Sequence, residues 1–81
     1  MIVEDSKLLK THFTVLPGEK TDPKLIMNLL QKIKDKQKEP FAKIFVTIHP
    51  MFFVPLLKAM EKEQLAFKNF GTDKSLFYLE F

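Results

Sequence analysis

Three side chains in this sequence are placed where they could carry acid–base or ligand chemistry: Asp22, His12 and His49. Asp22 stands directly before Pro23 in the stretch TDPKLIMNLL. A carboxylate there could act as a general base or meet a partner. It could also accept hydrogen bonds from the free N–H groups of a first helical turn, where proline is favoured. The positive end of a helix holds a carboxylate ionised and makes it a weak base, so we expect Asp22 and Pro23 to begin a helix.

The two histidines do not form a recognisable metal or catalytic motif. A zinc site needs three or four ligands, and neither His12 nor His49 lies in a His-x-His or His-x-x-x-His spacing. Gly18 and Gly71 are the only glycines, and both are typical of turns, which leaves no phosphate-binding glycine loop. We therefore expect no metal, no cofactor and no enzymatic activity, with the histidines as edge residues or partners of backbone groups.

Length and composition limit the remaining classes of function. The chain has 81 residues, which predicts one small domain over 1–81. It has no cysteine, which excludes disulfides, thiolate catalysis and sulfur relay. Its 13 basic residues are all lysine, and the missing arginine disfavours sequence-specific recognition of nucleic acid. We see no membrane-length apolar run and no secretory signal, so we expect a cytoplasmic protein without membrane contact.

Periodicity predicts the elements that would position these residues. Residues 10–16 alternate as a strand, and residues 23–37 carry an apolar stripe at helical period. Residues 41–48 form a strand that is apolar on both sides. The regular part of a second helix is predicted to begin near Val54, with an apolar stripe that starts at Phe53. A terminal hairpin is predicted to turn at residues 71–74.

The predicted order is β-α-β-α-β-β, an α/β two-layer sandwich with a four-stranded mixed sheet and two helices on one face. Ala42, Ile44, Val46 and Ile48 would face the helices, which leaves Phe41 and Phe45 on the uncovered side. Nine phenylalanines are many for so small a core, and the surplus indicates a contact surface. We assign Phe41, Phe45, Phe52 and Tyr78 to partner binding, Phe52 because it falls outside the stripe of the second helix.

The element order resembles the TusA-like (SirA-like) sulfur-carrier family, small two-layer α/β sandwiches. The family's Cys-Pro-x-Pro motif at the start of its first helix corresponds to Asp22-Pro23-Lys24-Leu25 here. The runs LIMNLLQKI and PLLKAMEKEQLAFK are also similar, so the likeness covers residues 11–81. Asp22 stands at the cysteine position, and Leu25 replaces the second proline. A carboxylate cannot carry persulfide sulfur, so the resemblance implies the fold without the sulfur chemistry.

We accordingly expect a non-enzymatic interaction module that works through protein contacts, with a second copy of itself as one partner. The alternative is a nucleic-acid-binding protein, because the same element order suits the Alba-like proteins and the C-terminal domain of translation initiation factor 3. Four lysines between positions 32 and 38 would serve such binding, although they are spread around a helix end and suit a solvated surface equally well.

Overall fold

The computed structural model describes residues 2–18 and 24–81. Within these residues five strands and two helices form two layers. None of the helices in this part of the chain is long and apolar enough to cross a membrane. The elements are β1 (Ile2–Lys7), β2 (Lys10–Val15), α1 (Leu25–Gln37), β3 (Lys43–Ile48), a short 3-10 turn (Pro50–Phe52), α2 (Phe53–Lys62), β4 (Asn69–Asp73) and β5 (Leu76–Glu80).

The strands form one mixed sheet in the order β1-β2-β3-β5-β4. β2 and β3 are parallel and are joined through α1, whereas the other three pairs are antiparallel. β3 is therefore central, and β1 and β4 are the edges. The predicted α/β fold with a mixed sheet and two helices is confirmed at this level.

The core lies between the sheet and the two helices. Alternate side chains of the strands point into it, as the period of two in a strand requires. Leu29, Ile33, Leu56 and Met60 of the helices meet them from the other side. The strand residues at this interface are Phe13, Val15, Ile44, Val46, Ile48 and Leu79, each at most 2% exposed. Both helices thus cover the same face of the sheet.

The prediction of four strands is wrong, because residues before position 9 form a fifth. β1 pairs with β2 along its whole length, from Ile2 opposite Val15 to Lys7 opposite Lys10. Its sequence IVEDSK lacks the alternation that marks a half-buried strand, and only Ile2 is even partly buried. Backbone hydrogen bonds to β2 hold this edge strand, and a search for hydrophobic periodicity does not detect such bonds.

The first helix begins at Leu25, with Lys24 as its N-cap, so residue 24 precedes the helix and is not part of it, contrary to our prediction. α1 ends at Gln37 as predicted, and its apolar stripe buries Leu29, Leu30 and Ile33. Asp22 and Pro23 lie outside the described residues. The proposed role of Asp22 at the helix start therefore stays a prediction.

The assignment of Phe52 to a contact surface is wrong. Phe52 is 5% exposed and belongs to the core. It lies four residues before Leu56 and eight before Met60, so these three residues form the buried row. The 3-10 turn brings Phe52 into line with that row. Our prediction began the stripe at Phe53, one residue too late, because it treated the prolines as excluding earlier helical structure.

The terminal hairpin turns two residues later than predicted. β4 and β5 are joined by Lys74 and Ser75, since Asp73 pairs with Leu76. Lys74 has a φ of 57°, which lets the chain reverse within two residues. Gly71 lies inside β4, opposite Tyr78, and is not a turn residue.

Most of the phenylalanine surplus is used in packing. Four rings form a second cluster between α2 and the β4–β5 hairpin, at centroid separations of 4.8 to 6.1 Å. Such edge and tilted contacts add to the stabilisation from burial. The members of this cluster are Phe53, Phe67, Phe70 and Phe77. Phe13, Phe52 and Phe81 are in the main core, so only Phe41 and Phe45 lie elsewhere.

Candidate functional site: the open face of the sheet

The face of the sheet opposite the helices has no covering layer among the described residues. We call it the open face and define it by the outward-pointing residues of the five strands. Register fixes its two central rows. One row contains Asp5, His12, Phe45, Glu80 and Asn69, and the next contains Val3, Thr14, Thr47, Tyr78 and Gly71.

Phe45 is at the centre of the open face and is half-buried by its neighbours. The ammonium of Lys10 lies 5.1 Å from the centroid of the Phe45 ring, a cation–π distance. On the same face His12 Nε2 and Thr47 Oγ1 form a hydrogen bond of 2.6 Å. The ring therefore has a cation over it and a hydrogen-bonded pair of polar side chains on the same face.

A shallow depression of about 390 Å³ lies on this face over β3, β5 and β4. Phe45 and Tyr78 are among its apolar walls, and Lys10 and Glu80 contribute charge. Gly71 lies directly opposite Tyr78, and a Cβ built there would meet nothing within 4 Å. The absence of a side chain at Gly71 thus leaves open space beside the Tyr78 ring.

Only two of the four residues assigned to partner binding share this face. Phe45 points outward as expected, since Ile44, Val46 and Ile48 face the helices. Tyr78 is 36% exposed on the neighbouring strand. Phe41 is 88% exposed but precedes β3, with a φ of 63°, and so belongs to the end of the sheet and not to its face.

A row of three lysines, which sequence analysis did not detect, crosses one end of the open face. Lys7 pairs with Lys10, and Lys10 pairs with Lys43. We call these residues the lysine row. In the described part of the chain none of the three forms an ion pair. Lys7 and Lys10 are close in the sequence, but Lys43 becomes their neighbour only through the register of β2 with β3, so local spacing does not reveal the row.

The lysines at the end of α1 mostly have acidic partners. Lys34 pairs with Glu63 at 2.5 Å, Lys36 lies 3.8 Å from Glu39, and Lys38 lies 3.9 Å from Asp35. The hydrogen bond from Lys34 holds the pKa of Glu63 below its ordinary value. This arrangement favours the solvated helix end over a nucleic-acid contact for this lysine cluster.

The histidines lie apart. His12 is in the middle of β2, and the side chain of His49 accepts a hydrogen bond of 3.1 Å from the Met51 N–H, which starts the 3-10 turn. His49 thus has the backbone-bonding role expected from its sequence. No group of three or more potential metal ligands occurs within residues 2–18 and 24–81.

Comparisons with known proteins returned no significant similarity. The sequence matches no family model, and neither curated proteins nor solved structures resemble it significantly.

Proposed function

We propose that this chain is a small non-enzymatic interaction module whose binding surface is the open face of the sheet. The observation that carries the proposal is an uncovered face with Phe45 and Tyr78 on adjacent strands around a shallow depression. Aromatic rings supply large contact area at small entropic cost and are enriched where proteins meet. The occupant we propose is a second copy of the same face, because two such faces can stack as the sheets of a sandwich do.

The size of the face sets the expected strength of this contact. Five strands spaced about 4.8 Å apart and about five residues long cover an area on the order of 400 Å². A standard stable complex buries about 800 Å² on each partner. The homodimer should therefore be weak and concentration-dependent, in the range typical of transient contacts.

Substitution of Phe45 by lysine tests this proposal. Phe45→Lys places a second cation beside Lys10 and removes the central ring, so it should abolish self-association and leave the core intact. Sedimentation equilibrium over a wide concentration range measures the dimer, and circular dichroism measures the fold. Met27→Lys also replaces an apolar side chain by lysine, at a residue 68% exposed on α1, and should leave the dimer unchanged.

Three results would contradict the proposal. A wild-type chain that stays monomeric at millimolar concentration would remove the homodimer. Dimers that Phe45→Lys does not weaken would place the contact elsewhere. An unfolded Phe45→Lys variant would show that the ring is required by the fold, and Tyr78→Lys would then be the second test of the same face.

Single-stranded nucleic acid is the second candidate for this face. Phe45 and Tyr78 could stack with bases. The lysine row could contact the phosphates of a single strand that crosses the sheet. Asp5 and Glu80 on the same face oppose a polyanion, which is why we prefer the protein partner. A titration of labelled RNA at two salt concentrations distinguishes a nucleic-acid partner from a protein partner. Counterion release makes the affinity for nucleic acid fall steeply with salt.

A further inference from the structure

A cluster of exposed apolar side chains lies at the end of the sheet where β2 and β3 begin. Leu8 is fully exposed and Leu9 is 53% exposed in the two-residue turn between β1 and β2. Phe41, 88% exposed, comes two residues before β3. A backbone hydrogen bond of 2.7 Å from the Lys43 N–H to the Leu9 carbonyl joins the two segments. We call Leu8, Leu9 and Phe41 the apolar tip.

The backbone at this tip is strained. Leu8 has a φ of 52° and Phe41 a φ of 63°, in the left-handed region that bulky side chains rarely adopt. Asparagine or glycine would adopt this backbone at lower cost. Large apolar residues therefore occupy two turn positions where smaller polar ones would suit the fold better. This combination of strain and exposure points to a role outside the folded chain.

The lysine row borders the apolar tip. Lys7 and Lys10 flank the Leu8–Leu9 turn directly, and Lys43 follows Phe41 by two residues. Like charges opposite one another on neighbouring strands destabilise a sheet. Glu39 is also nearby, but its carboxylate lies 3.8 Å from the Lys36 ammonium, so Lys36 offsets the charge of Glu39. The end of the sheet thus presents apolar side chains at its extremity and three lysines behind them, which outnumber the nearby carboxylate on the same face, that of Asp5.

We propose that this end of the molecule docks on an anionic lipid bilayer, with the apolar tip inserted among the acyl chains and the lysine row against the headgroups. Apolar burial combined with attraction to anionic lipid is the general basis of reversible binding at membrane surfaces. A convex tip needs a shaped pocket in a protein partner, whereas a bilayer accommodates it without one. Nucleic acid would engage the lysines but leave Leu8 and Leu9 in water. This inference does not depend on the open-face homodimer, and it revises the expectation that the chain makes no membrane contact.

Vesicle sedimentation with the full chain tests the proposal. The protein should bind vesicles in which about a quarter of the lipid is phosphatidylserine and should bind pure phosphatidylcholine at least about tenfold more weakly. Lys7→Gln and Lys43→Gln should each weaken binding about fivefold, the loss expected for one lysine near an anionic surface. Lys10 is kept because its ammonium also contacts Phe45.

The decisive variant is Leu8→Asn combined with Phe41→Asn. Asparagine accepts a left-handed backbone, so the variant should melt at the same temperature as wild type or higher while losing vesicle binding. Met27→Gln removes an apolar side chain that is 68% exposed on α1, away from the tip, and should bind as wild type does. Because the chain has no tryptophan, Phe41→Trp gives a single tryptophan that can be excited apart from Tyr78, and its emission should shift to shorter wavelength on phosphatidylserine vesicles only.

Several outcomes would overturn the proposal. Wild-type protein that does not sediment with phosphatidylserine vesicles at low salt would end it. Undiminished binding by the double asparagine variant would show a purely electrostatic contact without insertion. Equal loss in Met27→Gln would show unspecific adsorption. RNA binding that requires Lys7 and Lys43, together with no vesicle binding, would assign the lysine row to nucleic acid.

Discussion

At the scale of single residues, similar side chains have opposite environments. Phe41 and Phe52 were both assigned to a contact surface from the sequence, yet one is 88% exposed and the other 5%. Phe52 packs among the core side chains, whereas Phe41 lies on a left-handed turn in solvent. The composition gives the number of phenylalanines. The burial of each ring depends on the direction in which its backbone segment points the side chain.

These two residues make a matched test of stability. Phe52→Ala should lower the free energy of unfolding by about 3–5 kcal/mol, because it leaves a cavity in the core. Phe41→Ala removes the same atoms from an exposed position and should change stability by less than about 0.5 kcal/mol. Urea unfolding at pH 7 measures both. Equal losses in the two variants would show that Phe41 packs against the fold.

At the scale of elements, the ends of the two helices are tied by Lys34 and Glu63. Lys34 lies in the last turn of α1, and Glu63 follows α2, so the pair joins residues 29 positions apart in the sequence. Both side chains are partly exposed, so the pair adjusts stability without deciding the fold. The contribution of this ion pair to the free energy of unfolding depends on pH, so a pH series can measure it.

The hydrogen bond and charge of Lys34 lower the pKa of Glu63 from 4.5, so folding stabilises the ionised carboxylate. The stabilisation is complete above pH 4.5 and is lost as pH falls through the lower pKa of the folded state. Wild type should therefore be more stable than Glu63→Gln at pH 7, with the difference vanishing in acid. Glu61→Gln, which removes a nearby exposed carboxylate, is the control for urea melts at each pH. A difference that persists once acid has protonated Glu63 in the folded state would exclude the ion pair as its cause.

At the scale of the whole molecule, stability should decrease from the centre of the sheet to its edges. β3 pairs on both sides and carries Ile44, Val46 and Ile48 into the core, whereas β1 and β4 pair on one side and contribute no fully buried side chain. Edge strands with few buried side chains open locally at low free-energy cost.

Hydrogen exchange measures this gradient. We expect the amide of Val46 to exchange only through global unfolding, and the hydrogen-bonded amides of β1 and β4 to exchange through local opening at least about a hundredfold faster. The amide exchange rates of β3 should increase with urea concentration as steeply as the equilibrium constant of global unfolding does. Protection in β1 equal to that in β3 would contradict the assignment of β1 as a loosely held edge.

Features that depend on local periodicity and on residue types are readable from the amino-acid sequence without the fold. The stripe of α1 and the alternation of β2 follow from apolar spacing, and the missing cysteine excludes thiolate chemistry whatever the fold. Phe45 was correctly directed outward because its neighbours Ile44 and Val46 alternate with it.

Features that depend on strand register and on backbone hydrogen bonds emerge once the chain has folded. β1 is held by main-chain pairing with β2, which leaves no hydrophobic pattern in its sequence. Phe52 became part of the core because a 3-10 turn rotates it into line with Leu56. The lysine row and the apolar tip bring together residues more than 30 positions apart. Such residues become neighbours through the register of paired strands. Their spacing along the sequence does not specify that register.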